Sequence, residues 1–379
     1  MARWRLGAAV ALVAVCSAAY MPVQVDADRQ GRLLVARQEG VFAIEAEGTK
    51  AELLTKPVKG LPVVARWSPG GDKVLLAEVL DDLRMALSVV TVADKTVQDL
   101  GAFKGLRTPL WSPDGTSVSY AVQEPPGFAL YVAPATGGQA RKLLGGVGGS
   151  YDWADKGHLA AFRLGTKQAA SGASEGELVL VDAGTGDATS VAAMSAGELA
   201  PIDVNASGKD ALVVRTAADG KTQLVRVTLS GGKTQPVGPE NVLAGVWSPD
   251  GERIVAVHML EREITSQVVP PPGQAPAGVP PGGTVALKQK VRTWHLSVMK
   301  AGGAEVKILS EEADAWQATW ADSPLLPNWS AKDTVIFFRK ARVYGDAGTA
   351  MHLMSAKAAG GAVKDLQPAI DAAVAKAVK

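Results

Sequence analysis

Trp111-Ser112-Pro113-Asp114-Gly115 decides the fold of this chain, because it joins two strands through a tight turn. The proline fixes φ at the second turn position, the aspartate accepts hydrogen bonds from nearby backbone, and the glycine takes the left-handed conformation that closes the turn. The same residue types recur as Trp247-Ser248-Pro249-Asp250-Gly251, and Trp67-Ser68-Pro69-Gly70-Gly71 differs at one position. The sequence therefore repeats one hairpin.

The hairpin is the first part of a longer unit that occurs seven times. An apolar strand such as 118–122 follows the turn, and a strand of alternating polarity such as 130–132 comes next. A glycine-rich turn and a last short strand, such as 141–144, close the unit. Aligned on the turn glycine, the tryptophan position falls at Ala27, Trp67, Trp111, Trp153, Val204, Trp247 and Trp329, with spacings of 40, 44, 42, 51, 43 and 82.

Four strands in a period of about 42 residues predict the blade of a β-propeller. The unit resembles the WD40-like Pro-Asp (PD) repeat of TolB-type β-propellers, in which this turn links the innermost strand to the second. We therefore expect an all-β, seven-bladed propeller of four-stranded antiparallel blades over residues 20–367. A six-bladed ring, as in TolB, is the alternative if the weak first unit does not close it. The turn motif is expected to be structural at Trp67, Trp111, Pro113, Asp114, Gly115, Trp153, Trp247, Pro249, Asp250, Gly251 and Trp329.

The spacing of 82 is explained by an insertion, residues 259–290, within blade six. Its centre, residues 270–283, is rich in proline and glycine, and proline cannot donate to a sheet ladder, so a loop is predicted there. The charged run Glu261-Arg262-Glu263 is interpreted as the solvated stem of that loop, where partners also commonly bind. Residues 368–379 are predicted to form a short helix that docks on the last blade or frays.

The N-terminus has the pattern of a secretory signal peptide over residues 1–19. Arg3 and Arg5 precede the apolar run 6–15, which is shorter than the roughly 20 residues of a membrane-spanning helix. Small residues then suit cleavage before Tyr20. Cys16 is either a lipoprotein-type acylation site or is discarded with the signal. A periplasmic or secreted protein is therefore predicted. If Cys16 is acylated, the protein is instead expected to be anchored to a membrane by that lipid.

Composition argues against several classes of function. With 39 basic and 38 acidic residues the formal net charge is +1, so nothing favours nucleic acid or an anionic membrane surface as the partner. Four histidines and one cysteine make a zinc site with several ligands improbable. No cofactor and no metal are expected, and no disulfide is available to the mature chain.

Three motifs have weak catalytic or metal-binding patterns. Gly172-Ala173-Ser174-Glu175-Gly176 matches the serine-hydrolase string, but it lies in a polar run without a following helix and is predicted to be a loop. Residues 26–31 fail the calcium-loop pattern at its fifth and twelfth positions, so turn chemistry is the better interpretation. His295 and His352 occupy matching places in adjacent blades and are interpreted as partly exposed strand residues.

The leading hypothesis is a binding or scaffold protein without catalysis, because the resemblance to TolB implies protein–protein interaction at a bacterial envelope. The alternative is an envelope hydrolase or lyase with its site at the channel mouth, since fold does not settle function. A protein partner is expected, and the oligomeric state is left open. The candidate contact residues are polar side chains on or near the channel-lining strands: Arg66, Arg107, Tyr151, Asp152, Asp203 and Asn328.

Overall fold

The computed structural model shows a ring of seven four-stranded blades. Four blades are separate sheets, and the other three lie in one eleven-stranded sheet. The structure describes residues 25–28, 31–168, 171–197, 200–269, 280, 283–311, 327–331, 333–342 and 349–378. The predicted signal segment, Cys16, Tyr20 and the centre of the Pro-rich insertion lie outside these residues. Within the described part, no helix is both long enough and apolar enough to cross a bilayer.

The first four blades follow each other along the chain. Blade 1 contains β1 (Val25–Ala27), β2 (Leu33–Arg37), β3 (Gly40–Ile44) and β4 (Ala51–Thr55). Blade 2 contains β5 (Leu61–Trp67), β6 (Lys73–Val79), β7 (Met85–Thr91) and β8 (Val97–Phe103). Blade 3 contains β9 (Leu106–Trp111), β10 (Ser117–Gln123), β11 (Phe128–Pro134) and the first half of β12 (Arg141–Asp155). Blade 4 contains the second half of β12, β13 (His158–Gln168), β14 (Ser174–Asp182) and β15 (Ala188–Ala196).

The last three blades complete the ring. Blade 5 contains β16 (Ile202–Val204), β17 (Asp210–Thr216), β18 (Thr222–Thr228) and β19 (Thr234–Glu240). Blade 6 contains β20 (Val242–Trp247), β21 (Arg253–Val268), β22 (Val285–Lys300) and β23 (Lys307–Glu311). Blade 7 contains β24 (Asn328–Ala331), β25 (Thr334–Arg342), β26 (Thr349–Lys357) and β27 (Lys364–Asp365), and α1 (Gln367–Ala377) follows it.

The turn from the first to the second strand of a blade is held by its own side chains. In blade 3, Gly115 has φ of 71° and donates its N–H to the carbonyl oxygen of Ser112 at 2.8 Å. The Asp114 carboxylate accepts hydrogen bonds from the Ser112 hydroxyl (2.6 Å) and from the Thr116 N–H (3.0 Å). The turn of blade 6 has the same three bonds. The local sequence therefore encodes the hairpin.

Hydrophobic clusters lie between the blades, and each of the seven clusters in the described residues straddles two neighbouring blades. One of them packs Leu33 and Phe42 of blade 1 against Ile336, Phe338 and Leu353 of blade 7. The weak first unit therefore closes the ring. The fold is the predicted seven-bladed propeller, and the six-bladed alternative does not apply.

Helix α1 bridges the blades at the point of closure. Its Ile370 and Val374 are buried in the cluster that joins blades 7 and 1. Asp371 forms a 2.5 Å ion pair with Arg37 of blade 1, whose side chain is only 5% exposed. Gln367 accepts a hydrogen bond from the N–H of Leu353 in blade 7 at 3.3 Å. Blades 1 and 7 each consist of consecutive strands, so α1 closes the ring where no strand is exchanged.

The insertion in blade 6 differs from the expected loop stem. Glu261-Arg262-Glu263 lies within β21, and β21 pairs with β22 without a register shift from Arg253↔Lys300 to Val268↔Val285. The segments on both sides of the prolines alternate in polarity and pair with each other, so the ladder continues into the insertion. The Pro-rich composition predicts only the loop between these two strands. At the C-terminus, the predicted helix 368–379 is observed as Gln367–Ala377.

Candidate functional site

The residue before the tryptophan position lies on the innermost strand, and in three blades it is an aspartate that binds the next blade. Each carboxylate accepts a hydrogen bond from the backbone N–H of the tryptophan position in the following blade. These bonds join Asp26 to Trp67 (2.9 Å), Asp152 to Val204 (2.8 Å) and Asp203 to Trp247 (2.6 Å). The carboxylates therefore connect the innermost strands around the channel.

Blade 2 has Arg66 at the equivalent position, and its positive charge acts on Asp26 of blade 1 and Asp152 of blade 4. Its backbone carbonyl accepts a hydrogen bond from Trp111 Nε1 at 3.2 Å. We call Asp26, Arg66, Asp152 and Asp203 the channel cluster. The predicted residues Arg66, Asp152 and Asp203 are thus brought together.

Burial favours the protonated state of the three carboxyls of the channel cluster. Burial raises the pKa of Asp152 to about 6, although hydrogen bonds from Val204 and Trp153 and the charge of Arg66 oppose the rise. Burial, and then the negative charge of Asp152, raise the pKa of Asp203 well above its ordinary value. Burial also raises the pKa of Asp26. Asp152 and Asp203 are therefore coupled and titrate as a pair.

The other predicted contact residues have different surroundings. Tyr151 is 1% exposed, and its hydroxyl donates to the carbonyl oxygen of Thr108 in blade 3 at 2.5 Å. Arg107 lies near the opposite end of its strand from the turn, and its Nη1 donates to the carbonyl of Leu106 at 3.0 Å. Asn328 in blade 7 occupies the position of the three aspartates, but its Oδ1 accepts from the N–H of Trp329 in its own blade at 2.8 Å.

A second polar pair is buried in blade 6. His258 and His295 are opposite each other on β21 and β22, with ring centroids 6.0 Å apart and 2% and 3% exposure. Their Nε2 atoms bond to Ser297 Oγ (2.8 Å) and Thr293 Oγ1 (2.7 Å), respectively. Burial, with a smaller contribution from His295, lowers the pKa of His258 to about 4. The expectation that His295 is partly exposed is therefore wrong, because its ring is buried beside that of His258 on the neighbouring strand β21. His352 instead pairs with Asp365 at 2.6 Å.

Beyond these histidines, β21 and β22 project as a two-stranded ribbon. The two strands have 16 residues each, whereas β6 and β7 of blade 2 have seven. We call residues 259–268 and 285–294 the arm. Connections between second and third strands lie at the end of the ring opposite the Trp-Ser-Pro-Asp-Gly turns, because successive strands are antiparallel. The arm therefore rises from that opposite face.

The two faces of the arm differ in polarity. Glu261 pairs with Lys290 at 2.8 Å and Glu263 with Lys288 at 3.1 Å on one face. The alternate positions hold the apolar residues Leu260, Val268, Val285 and Leu287, of which Leu287 is 46% exposed, together with the polar Ser266 and Thr293. This amphipathic surface is the second candidate site.

The described residues form no metal centre: none of their histidine, cysteine, aspartate and glutamate side chains come together in a group of three or more that could hold an ion. Ser174 of the Gly-x-Ser-x-Gly string begins β14 and pairs with Gln168 and Ala196, so it lies on a strand rather than on a strand-to-helix turn. Asp28 of the rejected calcium motif makes turn contacts, since its carboxylate accepts from the N–H of Arg32 at 2.8 Å.

Sequence reasoning missed Asp26, although a signal was present. Asp26, Asp152 and Asp203 share the place directly before the tryptophan position, but that position is filled by Ala27 in blade 1. The His258–His295 pair was missed because the long loop hides the register of the two strands.

No protein-family model and no curated protein matches the sequence. Its structural neighbours are TolB-type and other β-propellers. Oligogalacturonate lyase from Vibrio parahaemolyticus has a TM-score of 0.56 at 12% identity, with 88% of this chain and 91% of that chain covered. The β-propeller domain of the Trilobed protease from Pyrococcus furiosus, described as having an open velcro topology, has a TM-score of 0.55 at 9% identity, with 90% of each chain covered.

TolB from Acinetobacter baumannii has a TM-score of 0.45 at 14% identity, with 74% of this chain covered. The chain spans 61% of the length of that protein. At such identities the similarity shows the fold alone: the protein is a β-propeller.

Proposed function

We propose that the protein is an extracytoplasmic propeller that binds a protein partner at a bacterial envelope and does not catalyse a reaction. The arm is the observation that carries this proposal. A two-stranded hairpin is marginally stable alone in water, and this one exposes apolar side chains such as Leu287. A surface of that kind is typical of an interaction site.

The channel supports the same conclusion. The carboxylates of Asp26, Asp152 and Asp203 each accept a backbone hydrogen bond from the next blade. Removing one of them would break an inter-blade contact, so their positions serve the ring itself. A ligand site is therefore better sought on the arm.

An arm-shortened chain tests the proposal. Leu260 and Thr293 are opposite each other, so an Asn-Gly turn that replaces residues 261–292 would close a hairpin of the ordinary length. We expect the intact chain, but not the shortened one, to capture its partner from an envelope extract. Asp81→Ala, in the exposed β6–β7 turn on the same face, is the control and should capture normally. Equal capture by the shortened chain would refute the arm as the binding site.

Location is tested separately with residues 1–24 fused to a reporter enzyme that is active only after export. Activity outside the cytoplasm is the expected result, and retention inside would contradict the proposed location. Cys16→Ser then decides between the two hypotheses for Cys16. Loss of membrane association in that variant would establish acylation.

An envelope lyase or hydrolase is the second candidate, and the pKa of Asp152 favours it. A carboxyl with a pKa of about 6 beside Arg66 has the properties of a general acid or base near neutral pH. Since the structural neighbours include oligogalacturonate lyases, oligogalacturonate with and without manganese is the first substrate to assay. Turnover that is abolished by Asp152→Ala would support this function over the first.

A further inference from the structure

The arm has an inner edge, which is the side of β21 that faces the axis of the ring. β20 pairs with β21 as far as His258, and the N–H of Met259 still donates to the carbonyl of Asn241 at 2.9 Å. From Leu260 to Val268, no other strand of the described residues lies alongside β21 on that side. The edge of a strand presents backbone donors and acceptors that another extended segment can use.

The hydrogen bond of Met259 shows which way the backbone N–H and carbonyl groups of β21 point. Its N–H points towards β20, and β21 continues without a register shift. Because N–H groups alternate along a strand, those of Glu261, Glu263, Thr265 and Gln267 point to the same open side, together with their carbonyls. Among the described residues, no other strand faces the N–H groups of Glu263, Thr265 and Gln267.

The two strands of the arm differ in the charged residues that protect an edge against pairing with another strand. β22 has exposed lysines at Lys288 and Lys290, and edge lysines are a usual device against strand pairing. β21 has no lysine, and its polar face presents Glu261 and Glu263, with side chains 42% and 54% exposed. The edge that faces the axis of the ring therefore lacks the lysines that protect the other edge.

We propose that the partner adds an extended segment to the edge of β21, with lysine or arginine at alternate positions beside Glu261 and Glu263 and apolar residues at the positions between. This inference rests on the proposed binding function and specifies its mode, which is β-strand addition. β22 shows that the pattern fits, because its lysines already pair with the same glutamates from the other side. A second copy of the chain is a poorer occupant, since β21 has no basic residue at the alternate positions 259–267 that could pair with Glu261 and Glu263.

A peptide with the sequence of residues 285–294 is the probe, because it has basic residues at the alternate positions 288, 290 and 292 and apolar residues at 285, 287 and 291. Fluorescence anisotropy of the labelled peptide should show saturable binding to the intact chain, weakened several-fold between about 50 mM and about 500 mM salt. The same peptide with its lysines and arginine changed to glutamate should not bind. Equal binding of the two peptides would overturn the proposal.

Thr265→Pro tests the backbone edge directly. Proline removes an N–H that points to the open side and leaves the β21–β22 ladder intact. We expect at least a tenfold loss of peptide affinity, whereas the matched variant Thr265→Ala retains the N–H and binds like the parent. Unchanged binding by Thr265→Pro would refute strand addition. Limited proteolysis of the arm checks that both variants fold.

The double variant Glu261→Lys/Glu263→Lys tests the charge rule independently. It should reverse the preference and favour the glutamate peptide, and an unchanged preference would exclude these residues as the selective contacts. If the arm-shortened chain loses its partner while Thr265→Pro retains it, the binding function stands and strand addition is wrong. An arm-dependent dimer in sedimentation would identify a second copy as the occupant and overturn the inference.

Discussion

The carboxylate of Asp203 in blade 5 accepts a 2.6 Å hydrogen bond from the backbone N–H of Trp247 in blade 6. One blade earlier, Asp152 makes the same contact with Val204, the residue that follows Asp203. Two carboxyls with raised pKa values are thereby placed in series on the channel wall. The contacts hold the ring together, but they do so at an electrostatic cost when both groups are ionised.

Asp203→Asn is expected to stabilise the protein at about pH 8 by about 1–2 kcal/mol. The amide oxygen can accept the single hydrogen bond from Trp247 without placing a second negative charge beside Asp152. Asp152→Asn is the matched comparison and should destabilise, because Asp152 accepts from two N–H groups and an amide has one oxygen. Urea unfolding of both variants checks the contrast, and a destabilised Asp203→Asn would contradict it.

The pH dependence of the same contact has a defined sign. The pKa of Asp152 in the folded protein is about 6, above the ordinary aspartate value of 3.8, so protonation of Asp152 favours the folded state. That contribution is complete below 3.8 and is lost as pH rises through 6. The pKa of Asp203 is also raised, by burial and then by the charge of Asp152, so its carboxyl follows the same rule. The advantage of Asp203→Asn should therefore disappear at about pH 4, and an equal advantage at both pH values would show another cause.

His258 should make the protein sensitive to acid. Its pKa of about 4 in the folded protein is below the ordinary histidine value of 6.5, so its contribution to stability is present above pH 6.5 and is lost as pH falls towards 4. Between about pH 7 and pH 5, the free energy of unfolding of the parent should fall by about 1–2 kcal/mol more than that of His258→Leu. Ser297→Ala, which removes only the hydrogen bond to His258, should keep the slope of the parent. Parallel slopes for the parent and His258→Leu would disprove this assignment.

Ring closure by α1 predicts a large effect from a small helix. Ile370→Ala should cost about 2–4 kcal/mol, because the side chain is fully buried between blades 7 and 1. Asp371→Ala should cost about 1–3 kcal/mol, since it leaves the buried Arg37 without its ion pair. Lys376→Ala on the exposed side is the control and should change the free energy of unfolding by less than about 0.5 kcal/mol. A neutral Ile370→Ala would mean that the helix is not part of the closure.

The tryptophans between blades should differ by one hydrogen bond. Trp153 Nε1 donates to Ser119 Oγ at 2.8 Å, whereas Trp247 Nε1 is buried without a partner in the described residues. Both rings are similarly buried, so replacement by phenylalanine leaves comparable cavities. Trp153→Phe should therefore destabilise by about 1 kcal/mol more than Trp247→Phe in urea unfolding. The reverse order would contradict this account.

The blades could be predicted from the sequence because their turns are local. Ser112, Asp114 and Gly115 satisfy each other within a few residues, so the motif carries the hairpin wherever it occurs. The arm could not be predicted in the same way, since a strand next to prolines is defined by its partner across the ladder. The same reason hid the pairing of His258 with His295, which depends on a register set across the loop.

The channel cluster was predictable in part. Arg66, Asp152 and Asp203 were identified because the repeat places them on channel-lining strands. Their function in joining blades depends on contacts between repeats, because the residues that bond are 41, 44 and 52 positions apart. Tyr151 was expected on the channel, but its burial against blade 3 depends on how two blades pack.

Helix α1 also determines the order in which the molecule can be completed. Leu33 of blade 1 meets its last neighbours only when Ile370 is present, after more than three hundred intervening residues. A chain synthesised from its N-terminus must therefore keep one side of its first blade uncovered until residues 367–377 have emerged. During that interval the uncovered blade is open to misassembly and to chaperones, and the step that ends the interval is the docking of a single short helix.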